Sequence, residues 1–154
     1  MRLRLKKLIV CFIVVLTQAS SVWADDAISV EHATVRATPP GQSNSAAFMT
    51  LTNASAHEVS LLSARSPVAA QVELHTHQHD QGIMRMRQVE SIVLPARSSI
   101  ALQPGGYHIM LLGLTAPLIA GEQTKIHLDF SNGESQTLML PVMMPGGHGA
   151  GHHH

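Results

Sequence analysis

Beyond residue 24 the chain has no cysteine and no tryptophan, since Cys11 and Trp23 both precede that point. This excludes disulfide bonds and thiolate metal ligands from the remaining 130 or so positions. Aromatic residues make up only 3% of the chain, so the core must be built from Leu, Ile, Val, Ala and Met. Charged residues are also few, at 13%, and form no basic stripe after the N-terminus. Arg2, Arg4, Lys6 and Lys7 fall in the first 24 residues; without them six basic side chains face ten acidic ones, a net of −4 with His neutral. That balance argues against nucleic acid as a partner.

The N-terminus is the one place with a long apolar run. "RLRLKK" is followed by "LIVCFIVVLTQA", which is short for a bilayer span, and then by "SVWA". We read residues 1–24 as a secretory signal peptide cut after Ala24, in preference to a membrane anchor, because no second apolar span follows. No lipobox surrounds Cys11, so lipidation there is not expected. After cleavage nothing in the sequence calls for stable membrane insertion.

No helical period stands out. Short alternating runs lie near 28–36, 45–52, 58–64, 68–75, 83–89, 91–94, 99–103, 107–113, 124–130 and 135–142, separated by turn sequences such as "TPPGQSN", "HDQG", "QPGG" and "SNGE". This spacing predicts an all-β domain over 25–144, an antiparallel sandwich or barrel. From Pro145 the sequence "PGGHGAGHHH" lacks apolar periodicity, and residues 145–154 are expected to form a flexible His-rich tail. We read it as native, not as a tag remnant, because the leader is still present and His148 stands outside the terminal run.

Histidine is the anomaly: eleven in the chain, all after residue 24. His32, His57 and His127 are read as ordinary surface or capped residues, and Met49 and Met139 as core filler. Three clusters resist that reading. In "LHTHQHD", His75, His77 and His79 share one parity; in "IMRMR", Met84 and Met86 share one face with Arg85 and Arg87 on the other; in "YHIML", His108 and Met110 share a face. A hairpin turning at "HDQG" would set the first cluster beside the second. Asp80 and Glu73 are expected to face solvent, and no Ser-His-Asp or paired-carboxylate arrangement is legible. The sequence therefore does not read as an enzyme.

Donor chemistry narrows the ion. Thioether sulfur favours Cu(I) over Zn(II), Ca(II) or Mg(II), and a blue-copper electron-transfer site would need a thiolate. A structural zinc site would want Cys or four harder ligands. Thioethers also do not titrate, so protons do not compete for them as for imidazole. The residues alone do not choose His75 over His77, or Met86 over Met84.

At these residues the sequence resembles the periplasmic copper chaperone family PCuAC, whose signature is His, ten residues, Met, twenty-one residues, His, one residue, Met. His75 and Met86 enclose ten residues, Met86 and His108 enclose twenty-one, and Ile109 alone separates His108 from Met110. "RATPPGQSNSAAFMTLTN", "VELHTH", "GIMRMRQV", "LPA" and "LQPGGYHIMLLGL" extend the resemblance across roughly 28–142. Thr34 departs from it, standing where the family often has Trp, a matter of packing. The resemblance implies a cupredoxin-like Greek-key β-sandwich, a monomer in the periplasm, with Cu(I) held by His75, Met86, His108 and Met110. It implies copper handover toward the copper-bearing subunit of a haem-copper terminal oxidase, directly or with a Sco-type thiol protein. His77 and Met84 are then secondary donors. Met144, His148, His152, His153 and His154 resemble the His- and Met-rich extensions of some members, and imidazole clusters there suit Cu(II). A copper-buffering or resistance protein without a dedicated acceptor is the alternative that the same ligands would serve.

Overall fold

The computed structural model describes residues 27–146. The predicted signal peptide, and the tail histidines His148, His152, His153 and His154, lie outside the described residues. Among the described residues every regular element is a strand: β1 (Ile28–Arg36), β2 (Asn44–Asn53), β3 (Val59–Arg65), β4 (Ala69–Asp80), β5 (Ile83–Val89), β6 (Ile92–Leu94), β7 (Ser98–Leu102), β8 (His108–Leu114), β9 (Gln123–Phe130) and β10 (Ser135–Met143).

The strands form two layers. One carries β5, β4, β8, β2 and β1 in that order, with β7 also paired to β2; the other carries β10, β9, β3 and β6. All pairs are antiparallel except the one joining the layers: β1 runs parallel to β10, Val35 opposite Val142 and Arg36 opposite Met143. The fully antiparallel arrangement expected from the sequence is thus broken at one seam, where a strand from each layer meets without a hairpin. β1 bends at a bulge between Glu31 and Thr34, with His32 at φ 52°.

Alternation decides which residues fill the space between the layers. Leu51, Ile109, Leu111 and Leu74 point inward from one sheet; Leu61, Ile126, Leu128 and Leu140 point inward from the other. Fully burying each such side chain contributes about 1.5–3 kcal/mol. Met49 joins this core at 2% exposure. Met139 does not: it is 53% exposed, because Leu138 and Leu140 take the inward parity and leave it on the outer face of β10. The expectation that it fills the core is corrected accordingly.

The β4–β5 hairpin departs most from the sequence reading. Pairing continues past His75 down to Asp80 opposite Ile83, so only Gln81 and Gly82 make the turn. Both have positive φ, 49° and 81°, which is the two-residue turn whose twist matches its strands. The sequence signal at "HDQG" placed the reversal correctly but made the loop too long.

Candidate metal centre

The same alternation that buries Leu74, Ile109 and Leu111 sends their neighbours to the outer face of the sheet. Register then assembles them. His77 stands opposite Met86 and His79 opposite Met84 across β4 and β5. His75 stands opposite His108, and Glu73 opposite Met110, across β4 and β8. On the other flank Ala46 of β2 stands opposite Met110. Donors far apart in sequence thus share one patch of one sheet face.

The patch surrounds a cavity of about 330 Å³ lined by Met86, Met110, His77 and His108 together with Phe48 and Arg36. The small side chain of Ala46 leaves it open. The His108 ring lies 5.2 Å from that of His77 and 5.7 Å from that of His75, centroid to centroid. Phe48 covers it from a third side at 6.4 Å. Arg36 sits over the Phe48 ring at 5.3 Å, a cation–π contact that holds the guanidinium at the rim.

Each of the two innermost imidazoles is held by one nitrogen and leaves the other free. His108, only 2% exposed, donates from Nδ1 to the Gly106 carbonyl at 3.1 Å. A carbonyl can only accept, so the lone pair is on Nε2, which is buried without a partner. His75 Nε2 lies 2.7 Å from Glu73 Oε2, so in the neutral ring Nε2–H donates to the carboxylate and Nδ1, likewise buried and unpartnered, carries the lone pair. A buried polar atom left unsatisfied costs about 1–3 kcal/mol, so two on facing side chains require an explanation. Burial pushes the His108 imidazole below its ordinary pKa, as do nearby His77, His75 and Arg36, while the Gly106 carbonyl opposes the shift. The ring is therefore kept neutral and able to donate its lone pair.

Several features of this centre were not legible in the sequence. Glu73 was expected to face solvent; its carboxylate instead orients His75 from two residues back on the same strand face. That i, i+2 spacing was visible, but nothing marked Glu73 apart from any surface acid. Arg36, Phe48 and the Gly106 carbonyl were not singled out at all. "QPGG" forms the turn before β8, with Gly105 at φ 84°, and it is this turn that brings the Gly106 carbonyl under His108.

The remaining residues fall where their surroundings dictate. His32 and His57 are exposed, and His127 Nδ1 meets Thr137 Oγ1 at 2.7 Å on the other sheet. Met144 is 63% exposed beyond β10 and is not part of the cavity. Among the described residues no three His, Cys, Asp or Glu side chains converge so as to hold a metal ion. An ion in this cavity would have to draw on the methionines as well.

Comparison with known proteins agrees with this architecture. The LpqE-like family, described as "Putative lipoprotein LpqE-like", matches residues 28–142. A curated relative from Leifsonia xyli subsp. xyli, named "Putative lipoprotein Lxx21020", is 36% identical over 118 residues, covering 76% of this chain and 70% of its own length. Among solved structures, the Cu(I) form of DR1885 from Deinococcus radiodurans is 35% identical, with a TM-score of 0.66 over 84% of this chain and 87% of that one. The copper-bound PCuAC domain from PmoF2 is similar in fold, with a TM-score of 0.66 and 23% identity over 77% of this chain and 94% of that one. The chain belongs to the LpqE-like family and has the cupredoxin-like β-sandwich of the PCuAC domains.

Proposed function

We propose that this chain is an exported Cu(I) metallochaperone that receives copper outside the cytosol and gives it to a membrane oxidase. The observation that carries the reading is the pair of buried, unpartnered nitrogens, His75 Nδ1 and His108 Nε2, on the sheet face that also presents Met86 and Met110. His75, Met86, His108 and Met110 are the ligands in this proposal. Two imidazoles and two thioethers suit Cu(I); no thiolate is at hand and the neighbouring Glu73 carboxylate is engaged with His75, which disfavours zinc and hard cations. The relative solved as a Cu(I) form supports the same assignment.

The arrangement suits carriage and transfer better than catalysis. Met86 is 45% exposed, so an incoming ligand from a partner can replace it without unfolding the sheet. The other donors lie beneath and hold the ion meanwhile. The acceptor in this proposal is the copper-bearing subunit of a haem-copper terminal oxidase, or a Sco-type thiol protein acting before it. Thiolates hold Cu(I) more strongly than thioethers, which gives handover its direction. The basic and apolar N-terminal 24 residues support export to the periplasm, as do the relatives named as lipoproteins.

Mixing the Cu(I)-loaded chain with the metal-free soluble domain of such a subunit tests the assignment. Copper should leave this chain and appear at the acceptor's thiolates. Retention of copper at equilibrium, with either acceptor, would instead favour a buffering role.

A further inference from the structure

The β4–β5 hairpin carries more donors than the inner centre uses. We propose a second Cu(I) site at its tip, formed by His79 and Met84, that takes copper first and passes it inward; the proposal rests on the Cu(I) reading of the inner centre. The two-residue turn at Gln81–Gly82 fixes the register, so His79 and Met84 are directly opposite each other on the outer sheet face. Directly opposed side chains in an antiparallel pair have Cβ atoms about 4.5–5.5 Å apart, a span that an imidazole and a thioether can close around one ion.

The next rung on the same face is His77 with Met86, and the one after brings His75 to His108. Rungs two residues apart are separated by roughly 7 Å, which the flexible methionine side chains can bridge. Exposure falls along this line. His79 and Met84 are exposed, Met84 at 48%; Met86 is at 45%, His77 is half-buried, and His108 is at 2%. His77 is the link, with its ring 5.2 Å from that of His108 and its Nδ1 3.5 Å from the Gly106 carbonyl.

Core packing does not account for Met84. It lies on an edge strand whose residues are almost all exposed, beside an equally exposed Ile83. The charges of the hairpin are kept to its other face: Asp80 Oδ2 lies 3.9 Å from both Arg85 Nε and Arg87 Nη2. The tip therefore offers one nitrogen and one sulfur with no carboxylate beside them. That donor set suits the low coordination numbers that Cu(I) accepts and is poor for calcium, magnesium or zinc. Two donors bind more weakly than four, so the ion would move inward down an affinity gradient.

The test is an anaerobic Cu(I) titration of the full mature chain carrying isotope-labelled methionine methyl groups. It is followed by NMR past the first equivalent of copper. The Met86 and Met110 methyl signals should finish shifting with the first equivalent, and the Met84 methyl and His79 ring signals should shift with later ones. A Met84 signal that stays still while Met86 and Met110 move would overturn the outer site and leave the inner one intact. Unmoved Met86 and Met110 signals would overturn the inner reading, and the relay with it. The double variant His79→Ala, Met84→Leu changes only exposed side chains. It should load the inner centre about tenfold more slowly, within the range over which on-rates of related complexes vary. Its equilibrium Cu(I) affinity should stay unchanged. Wild-type loading kinetics in that variant would also overturn the proposal.

Discussion

His75 and His108 face each other across β4 and β8 with ring centroids 5.7 Å apart, and each is tied by one nitrogen while the other is buried without a partner. The ties differ in kind: a carboxylate for His75 and a backbone carbonyl for His108. Both fix the tautomer, and so determine which nitrogen is available to an ion.

The thioethers should matter more for binding than for folding. Met110→Ala removes a partly exposed side chain from the outer face, so the loss in stability should stay near or below 2 kcal/mol, the lower end for Met→Ala in cores. Cu(I) affinity, measured by competition with a chromophoric chelator, should fall by more than about a hundredfold, beyond what loss of an orienting partner does. Unchanged affinity in the folded variant would remove Met110 from the ligand set.

Glu73 should act through His75. Glu73→Gln keeps a hydrogen-bond acceptor near Nε2 but removes the charge that makes the ring a better donor. Cu(I) affinity should drop about 10–100-fold with the fold retained, as is typical for partners that orient a metal ligand. The same competition assay, paired with a thermal melt, separates this from a general loss of structure.

The depressed pKa of His108 gives the metal-free protein a signed pH dependence. A folded-state value below the ordinary 6.5 means the unfolded chain takes up the proton more readily. The contribution to stability is present above about 6.5 and is lost as pH falls through the folded value. Denaturant unfolding of the metal-free chain between about pH 8 and pH 5 should show this decline, and His108→Gln should flatten it. An identical pH slope in the variant would place its origin elsewhere.

The hairpin turn sets which methionine meets which histidine, so its geometry should be felt at the metal. Gly82 has a φ of 81° with open space where a Cβ would go, so strain there is purely conformational. Gly82→Val should cost about 1–2 kcal/mol locally, the penalty for a left-handed L-residue. It should also weaken Cu(I) binding by loosening the Met86 rung. Hydrogen exchange across β4 and β5 would locate the effect; protection equal to wild type would show that the register does not depend on this turn.

The sequence made the ten strands legible because period-2 alternation and turn residues coincide at nearly every boundary. It also made the clustering of His and Met on one face legible, since strand parity follows from sequence. Parity was open to reading at Met139 too, where two flanking leucines claimed the interior, but methionine's softness suggested the core. What a linear reading could not supply is adjacency between distant strands. The parallel β1–β10 seam, Phe48 and Arg36 beside His108, and the Gly106 carbonyl beneath it all depend on which strands become neighbours. Register likewise decides the neighbours of His75 and His77: His77 stands opposite Met86 and lines the cavity, while His75 stands opposite His108 and is not among the lining residues.

The most direct test of the metallochaperone reading is X-ray absorption at the copper edge on the full mature chain, reduced and loaded with less than one equivalent of copper. The account predicts a Cu(I) edge and a shell containing both sulfur and nitrogen, with the sulfur contribution reduced in Met86→Ala and Met110→Ala. A nitrogen-only shell would contradict it.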